Sequence, residues 1–91
     1  MKYRIAILER IDQQSFKKNL SSVEITDLTE HAEDAQFKKL NLFDVVVVKS
    51  RTQVNKKFID SASKLKIIAR AGIGTENIDS DYAFNKGIKV I

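Results

Sequence analysis

The sequence predicts an α/β fold, a parallel β-sheet layered between helices. Three observations carry that reading. Apolar, β-branched runs alternate with helix-favouring stretches along the whole chain, the pattern of strands joined by helical crossovers. One run, Val45-Val46-Val47-Val48, holds no polar residue, as expected of a strand covered on both faces in the middle of a parallel sheet. The connections between runs are short, so consecutive elements must pack as neighbours.

Taken in order, Tyr3 to Leu8 reads as a first strand, with Tyr3, Ile5 and Ile7 on one face and Ala6 and Leu8 on the other. Asp12 is placed to cap a short helix through Leu20, whose apolar stripe is only Phe16 and Leu20. Val23 to Thr26 alternates like a short edge strand. Thr29 is placed to cap a helix from Glu30 to about Leu40, with Glu30, Glu33 and Asp34 early and Lys38 and Lys39 late, an order that complements the helix dipole. Asp44 to Val48 is the strongest strand signal. Asn55 is placed to cap the next helix, whose stripe of Val54, Phe58, Ala62 and Leu65 keeps helical spacing. Lys66 to Ala69 gives a fourth strand. Asp79 is placed to cap a helix from Ser80 to Lys86, stopped by Gly87 just past its end. Ile88 to Ile91 begins a fifth strand.

This β-α-β-α-β-α-β-α-β order, closed by right-handed crossovers, predicts a doubly wound, flavodoxin-like sheet of five strands in the order 2-1-3-4-5, within three αβα layers. The valine strand lies at its centre. The loops at Glu9-Arg10, Lys49 to Thr52 and Ala71 to Thr75 then share one edge, beyond the carboxyl ends of the strands, where open α/β sheets bind ligands.

Composition narrows the function. The 91 residues suffice for one small domain. No apolar run approaches the roughly 20 residues needed to span a bilayer. The opening Met1-Lys2-Tyr3-Arg4 leads into a strand pattern rather than the apolar core of a signal peptide. No membrane partner is expected. The chain has no cysteine, which excludes thiolate chemistry and fits a cytoplasmic protein. The net charge of +4 comes as scattered pairs, Lys17-Lys18, Lys38-Lys39 and Lys56-Lys57, on predicted helices. Without aromatic–basic interleaving, it points to small anions rather than to nucleic acid. His31, the only histidine, stands beside Glu30 and Glu33 and reads as a surface residue. No spacing suggests a metal site. Ser15, Ser21, Ser22, Ser61 and Ser63 lack His/Asp company for nucleophilic catalysis.

The stretch Ile67 to Asp79 is the chemical focus. It runs from an apolar strand through Arg70 into a corner holding Gly72 and Gly74, two of the chain's three glycines. Glycine lets a ligand approach bare backbone. Gly72-Ile73-Gly74-Thr75-Glu76-Asn77 is not the dinucleotide fingerprint G-x-G-x-x-G, because Asn77 replaces the third glycine that helix–strand packing needs. Backbone N–H groups at such a corner, flanked by Arg70 and by Lys49-Ser50 at the neighbouring strand end, make a carboxylate or phosphate site. Ser50 can add a hydroxyl, and Arg51 either reaches in or points to water, the second being the expectation. A phosphate-accepting receiver domain of the same fold needs an aspartate at the end of the third strand; Lys49 stands there.

At these residues a family resemblance emerges. Val46-Val47-Val48-Lys49-Ser50-Arg51-Thr52-Gln53-Val54 resembles the V-R-S-x-T-x-V segment of D-3-phosphoglycerate dehydrogenases. Arg70-Ala71-Gly72-Ile73-Gly74-Thr75-Glu76-Asn77-Ile78-Asp79 is similar to their R-A-G-x-G-x-D-N-I-D segment. Gly87-Ile88-Lys89-Val90 resembles the G-I-x-V of the wider D-2-hydroxyacid dehydrogenase family. The resemblance spans essentially the whole chain, including Ile5 to Asp12.

The resemblance implies residues 1–91 of a substrate domain whose full-length relatives are NAD-dependent oxidoreductases, usually dimers. In such a relative, hydride passes from C2 of a hydroxy acid to NAD while a His–Glu pair takes the hydroxyl proton. It also implies that the N–H groups of Ile73 and Gly74 hold the substrate carboxylate, with Gly72 shaping the turn. Lys49, Ser50 and Arg70 would then face phosphate or carboxylate. Lys49 departs from the usual arginine and supplies charge without a bidentate fork. Arg51 replaces a small residue, and Glu76 the usual Asp. The NAD domain, the catalytic Arg, Glu and His, and a helix from the far C-terminus that completes the domain have no counterpart here. The chain alone is therefore expected to be inactive, with apolar surface uncovered on one sheet face and the Val90-Ile91 end exposed or frayed. The alternative is a stand-alone module that binds an anionic hydroxy acid, or a partner chain, without catalysis.

Overall fold

The computed structural model describes residues 3–10, 23–71 and 76–91. Five parallel strands form one sheet in the expected order: β1 (Tyr3–Ile7), β2 (Val23–Asp27), β3 (Val45–Val48), β4 (Ile67–Arg70) and β5 (Lys89–Val90). Spatially they run β2-β1-β3-β4-β5, so the valine strand is central. All four of its residues are buried.

Among the described residues three α-helices follow the strands: α1 (Glu33–Lys39), α2 (Lys56–Ser61) and α3 (Ser80–Asn85). The crossovers carrying them all advance in the same direction across the sheet, and right-handed crossovers of one direction place their helices on one face. That face holds the larger core. Ala6, Val46, Val48 and Ile68 from the strands meet Phe58 and Ile59 of α2 and Ala83 of α3. Phe37 of α1 packs edge-on against Phe58, with ring centroids 5.9 Å apart. On the opposite face Ile5, Ile7, Val45 and Val47 are buried, while Val23, Ile25, Ile67 and Ala69 are only partly covered. The helix expected from Asp12 to Leu20 lies outside the described residues.

Local chemistry explains most element ends. Asn55 caps α2 by accepting from the Phe58 N–H at 3.0 Å. Asp79 caps α3 by accepting from the Tyr82 N–H at 3.1 Å. Gly87 adopts φ +78° after α3, the left-handed turn expected of it. Thr29 does not cap a helix. Its N–H and hydroxyl both donate to Asp27 Oδ1, at 2.9 and 2.6 Å. That local turn competes with helix initiation, so α1 starts later, after Ala32, with no side-chain cap. The Val90-Ile91 end, expected to be exposed or frayed, is exposed at Ile91 and keeps its strand bonds. Ile91 is 62% exposed, yet its N–H donates to Ile68 O and its carbonyl accepts from Arg70 N, each at 2.9 Å.

Candidate functional site

Because every strand pair is parallel, all the strand C-termini meet at one edge. Register then decides what gathers there. Val48 pairs with Arg70, so Lys49 follows β3 beside the last residue of β4. Ile7 pairs with Val47 on one side and Asp27 on the other, which brings Glu9 and Thr29 alongside. Lys49, Ser50 and Arg70, three of the residues singled out from sequence, thus lie at one edge. Gly72, Ile73 and Gly74 lie outside the described residues.

The edge is held by buried polar groups. Glu9, Gln36 and Asn77 are the buried polar side chains among the described residues, and all three bond to strand-end backbone here. Glu9, 6% exposed, accepts the N–H groups of Lys49 at 2.7 Å and Thr52 at 3.0 Å on one oxygen, and that of Arg51 at 3.1 Å on the other. Burial alone would raise its pKa. The donors of Thr52, backbone and hydroxyl, with the Lys49 and Arg51 amides, outweigh burial and hold it below the ordinary 4.5. Asn77 works from the other side. Its Nδ2 donates to Lys49 O at 2.7 Å and Thr52 O at 2.8 Å, and its Oδ1 accepts from Arg70 Nε at 3.4 Å. A short parallel bridge between Val54 and Ile78 ties the same loops, with Val54 N donating to Asn77 O at 2.8 Å. Gln36 Nε2 donates to Leu8 O and Leu28 O at 3.2 and 2.7 Å.

Neither Glu9 nor Asn77 stands out as a site residue in the sequence. Glu9 is one acid after an apolar strand, and its partners lie some forty positions away. Asn77 registers as a replaced fingerprint glycine and as the Asn of the family segment, with no role attached to it.

Above this scaffold opens a cleft of about 290 Å³ lined by Glu9, Arg10, Thr29, Lys49, Ser50 and Arg51. The Glu9 charge is already engaged by amides, so the cations Arg10, Lys49 and Arg51 dominate its character. Arg10 lies 3.7 Å from Glu30 in a well-exposed pair, an interaction that contributes little. A second cleft of equal size adjoins at Arg51 and is lined by His31, Glu33, Gln36 and Thr52 as well. His31 is exposed, as expected. Among the described residues no His, Asp or Glu cluster could hold a metal ion, and no helix is long and apolar enough to cross a membrane. The arrangement can therefore offer an anion one ammonium, one hydroxyl and guanidinium groups.

Comparison with known proteins agrees with this fold. The sequence profile of the D-isomer specific 2-hydroxyacid dehydrogenase catalytic domain matches residues 5–91. The chain is 40% identical over 91 residues to a hydroxypyruvate reductase of Thermotoga maritima, covering 99% of this chain and 30% of that protein. It is 37% identical to a D-3-phosphoglycerate dehydrogenase of Synechocystis, covering 96% of this chain and 14% of that one. It thus spans less than a third of the length of either relative. Among solved structures, a protein of Pyrococcus horikoshii superposes with a TM-score of 0.87 at 20% identity, over 99% of this chain and 27% of that chain. The NAD-bound 3-phosphoglycerate dehydrogenase of Entamoeba histolytica superposes with a TM-score of 0.76 at 24% identity, over all of this chain and 32% of that chain.

Proposed function

Because this chain belongs to the D-isomer specific 2-hydroxyacid dehydrogenase family, we propose that it forms the N-terminal part of a substrate domain of the phosphoglycerate type. The whole enzyme would oxidise 3-phosphoglycerate with NAD on the route to serine, in the cytoplasm, as a homodimer or with the remaining domain supplied alongside. In this reading Lys49, Ser50 and Arg70 meet the anionic groups of the hydroxy acid, and the Gly72-Ile73-Gly74 corner offers N–H groups to its carboxylate. The observation that carries the reading is the pairing of Val48 with Arg70, which sets two cationic residues, Lys49 and Arg70, side by side at the ligand-binding edge of an α/β sheet.

NAD itself does not fit the residues here. A dinucleotide corner needs a third glycine for close packing, and Asn77 fills that position with a buried side chain bonded to Lys49 and Thr52. The substrate end of the reaction is what these residues serve: they bind and orient an acid, and the hydride step belongs to the dinucleotide-binding part of a longer relative.

The test is a calorimetric titration of the 91-residue protein with 3-phosphoglycerate and, separately, with glycerol. The phosphorylated acid binds and glycerol does not, and Lys49→Met weakens binding about tenfold, the scale of one lost charge-assisted contact. Failure of the wild-type protein to bind the acid overturns the reading. Adding NAD to the mixture yields no NADH absorbance; turnover above background would refute the expected inactivity.

A further inference from the structure

We propose that Glu9 and Asn77 are positioning residues of the anion site, fixing from opposite sides the loop that carries Lys49 and Ser50. The proposal rests on the anion-binding reading above and goes beyond it, by assigning two residues that touch no ligand but set the shape in which the contacting groups meet one. In the sheet, β3 lies between β1 and β4. Glu9 follows β1 and Asn77 follows β4, so the loop after β3 is reached from both flanks.

The bonding divides cleanly by chemistry. Glu9, which only accepts, collects the N–H groups of Lys49, Arg51 and Thr52. The Asn77 amide nitrogen, which only donates, collects the carbonyls of Lys49 and Thr52. Converging N–H groups of this kind form a nest that binds anions, and here the chain's own carboxylate fills it. An external anion at this loop must therefore be met by the Lys49 ammonium and the Ser50 hydroxyl, both on exposed residues, rather than by those three amides. Asn77 has a second duty. Its Oδ1 receives Arg70 Nε while its Nδ2 holds the Lys49 carbonyl, so one side chain sets the relation between the two basic residues of the site.

Two isosteric substitutions test this. Glu9→Gln removes the charge, and Asn77→Asp replaces the donor by an acceptor facing two carbonyls. Amide hydrogen exchange and titration with 3-phosphoglycerate are recorded on the isotope-labelled chain, with Gly87→Ala as a destabilised control far from the edge. In both site variants we expect exchange at Lys49, Arg51 and Thr52 to quicken and affinity to fall about tenfold, the scale of one lost hydrogen bond, while Gly87→Ala keeps wild-type affinity. Rescue of Glu9→Gln by Glu9→Asp, at least in part, marks the carboxylate as the operative group. Unchanged exchange and affinity in both variants overturn the positioning role while wild-type binding keeps the earlier reading. Absence of wild-type binding overturns both. Should the variants not fold, the wild-type protein still decides: the amide shifts of Lys49, Arg51 and Thr52 must titrate together in acid with one midpoint below 4.5, and three unrelated midpoints overturn the proposal.

Discussion

Replacing Glu9 by alanine strips three hydrogen bonds, at 2.7, 3.0 and 3.1 Å, from a single buried charge. A hydrogen bond to a charged group contributes about 1.5–3 kcal/mol net. Lys49 and Arg51 are exposed, so water replaces part of the loss at those two amides, and the expected destabilisation is about 3–4 kcal/mol. A domain of this length has a total stability of roughly 5–13 kcal/mol, and each kcal/mol moves its melting temperature by about 4–8 °C. The Glu9→Ala melt should therefore fall by about 12–32 °C. The pH dependence follows from the lowered carboxyl pKa. Folded Glu9 binds its proton more weakly than unfolded Glu9, so its stabilisation is present above the ordinary 4.5 and is lost as pH falls through the folded value. Urea unfolding at neutral pH and in steps below pH 4.5 should show that acid loss in wild type and a smaller one in Glu9→Gln. A Glu9→Ala chain within about 0.5 kcal/mol of wild type at neutral pH, the range of an ordinary surface substitution, would refute the reasoning.

Three further outcomes follow from the same structure. Asn55→Ala and Asp79→Ala each remove a helix cap and should each destabilise by about 0.5–2 kcal/mol in thermal melts. Gly87→Ala meets no atom within 4 Å but must hold φ +78°; backbone strain alone should lower stability by about 1–2 kcal/mol in urea titration. The Tyr82 hydroxyl donates to Asp60 Oδ1 at 2.6 Å, and that bond, followed by burial and the Asp60 charge, raises its pKa above 10.0. Asp60→Asn should therefore bring the tyrosinate absorbance transition of Tyr82 to lower pH.

What could be read from the sequence was what local chemistry decides. The Val45–Val48 run declares a central strand because nothing polar interrupts it. Asn55, Asp79 and Gly87 declare helix ends because capping acts over three or four residues. The strand order followed from connection rules, and with it the meeting of Lys49 and Arg70. Local patterns failed where two short-range options compete. Thr29 sits correctly to cap a helix, but Asp27, two residues earlier, takes its N–H and hydroxyl first. The clamp on the Lys49–Thr52 loop was illegible for a different reason. Glu9 and Asn77 bond to backbone that is distant in sequence, and backbone partners leave no residue-type signature at any spacing.

The central claim is that the carboxyl edge between β1, β3 and β4 takes an anionic hydroxy acid. The most direct measurement is a map of backbone amide shifts across the labelled chain as 3-phosphoglycerate is added. Saturable shifts are expected at Lys49, Ser50, Arg70, Gly72, Ile73 and Gly74, with Asp44 and Lys66 at the far edge unmoved. Shifts centred instead on the exposed Phe84 and Lys89 flank, or no saturable shift anywhere, would contradict the claim.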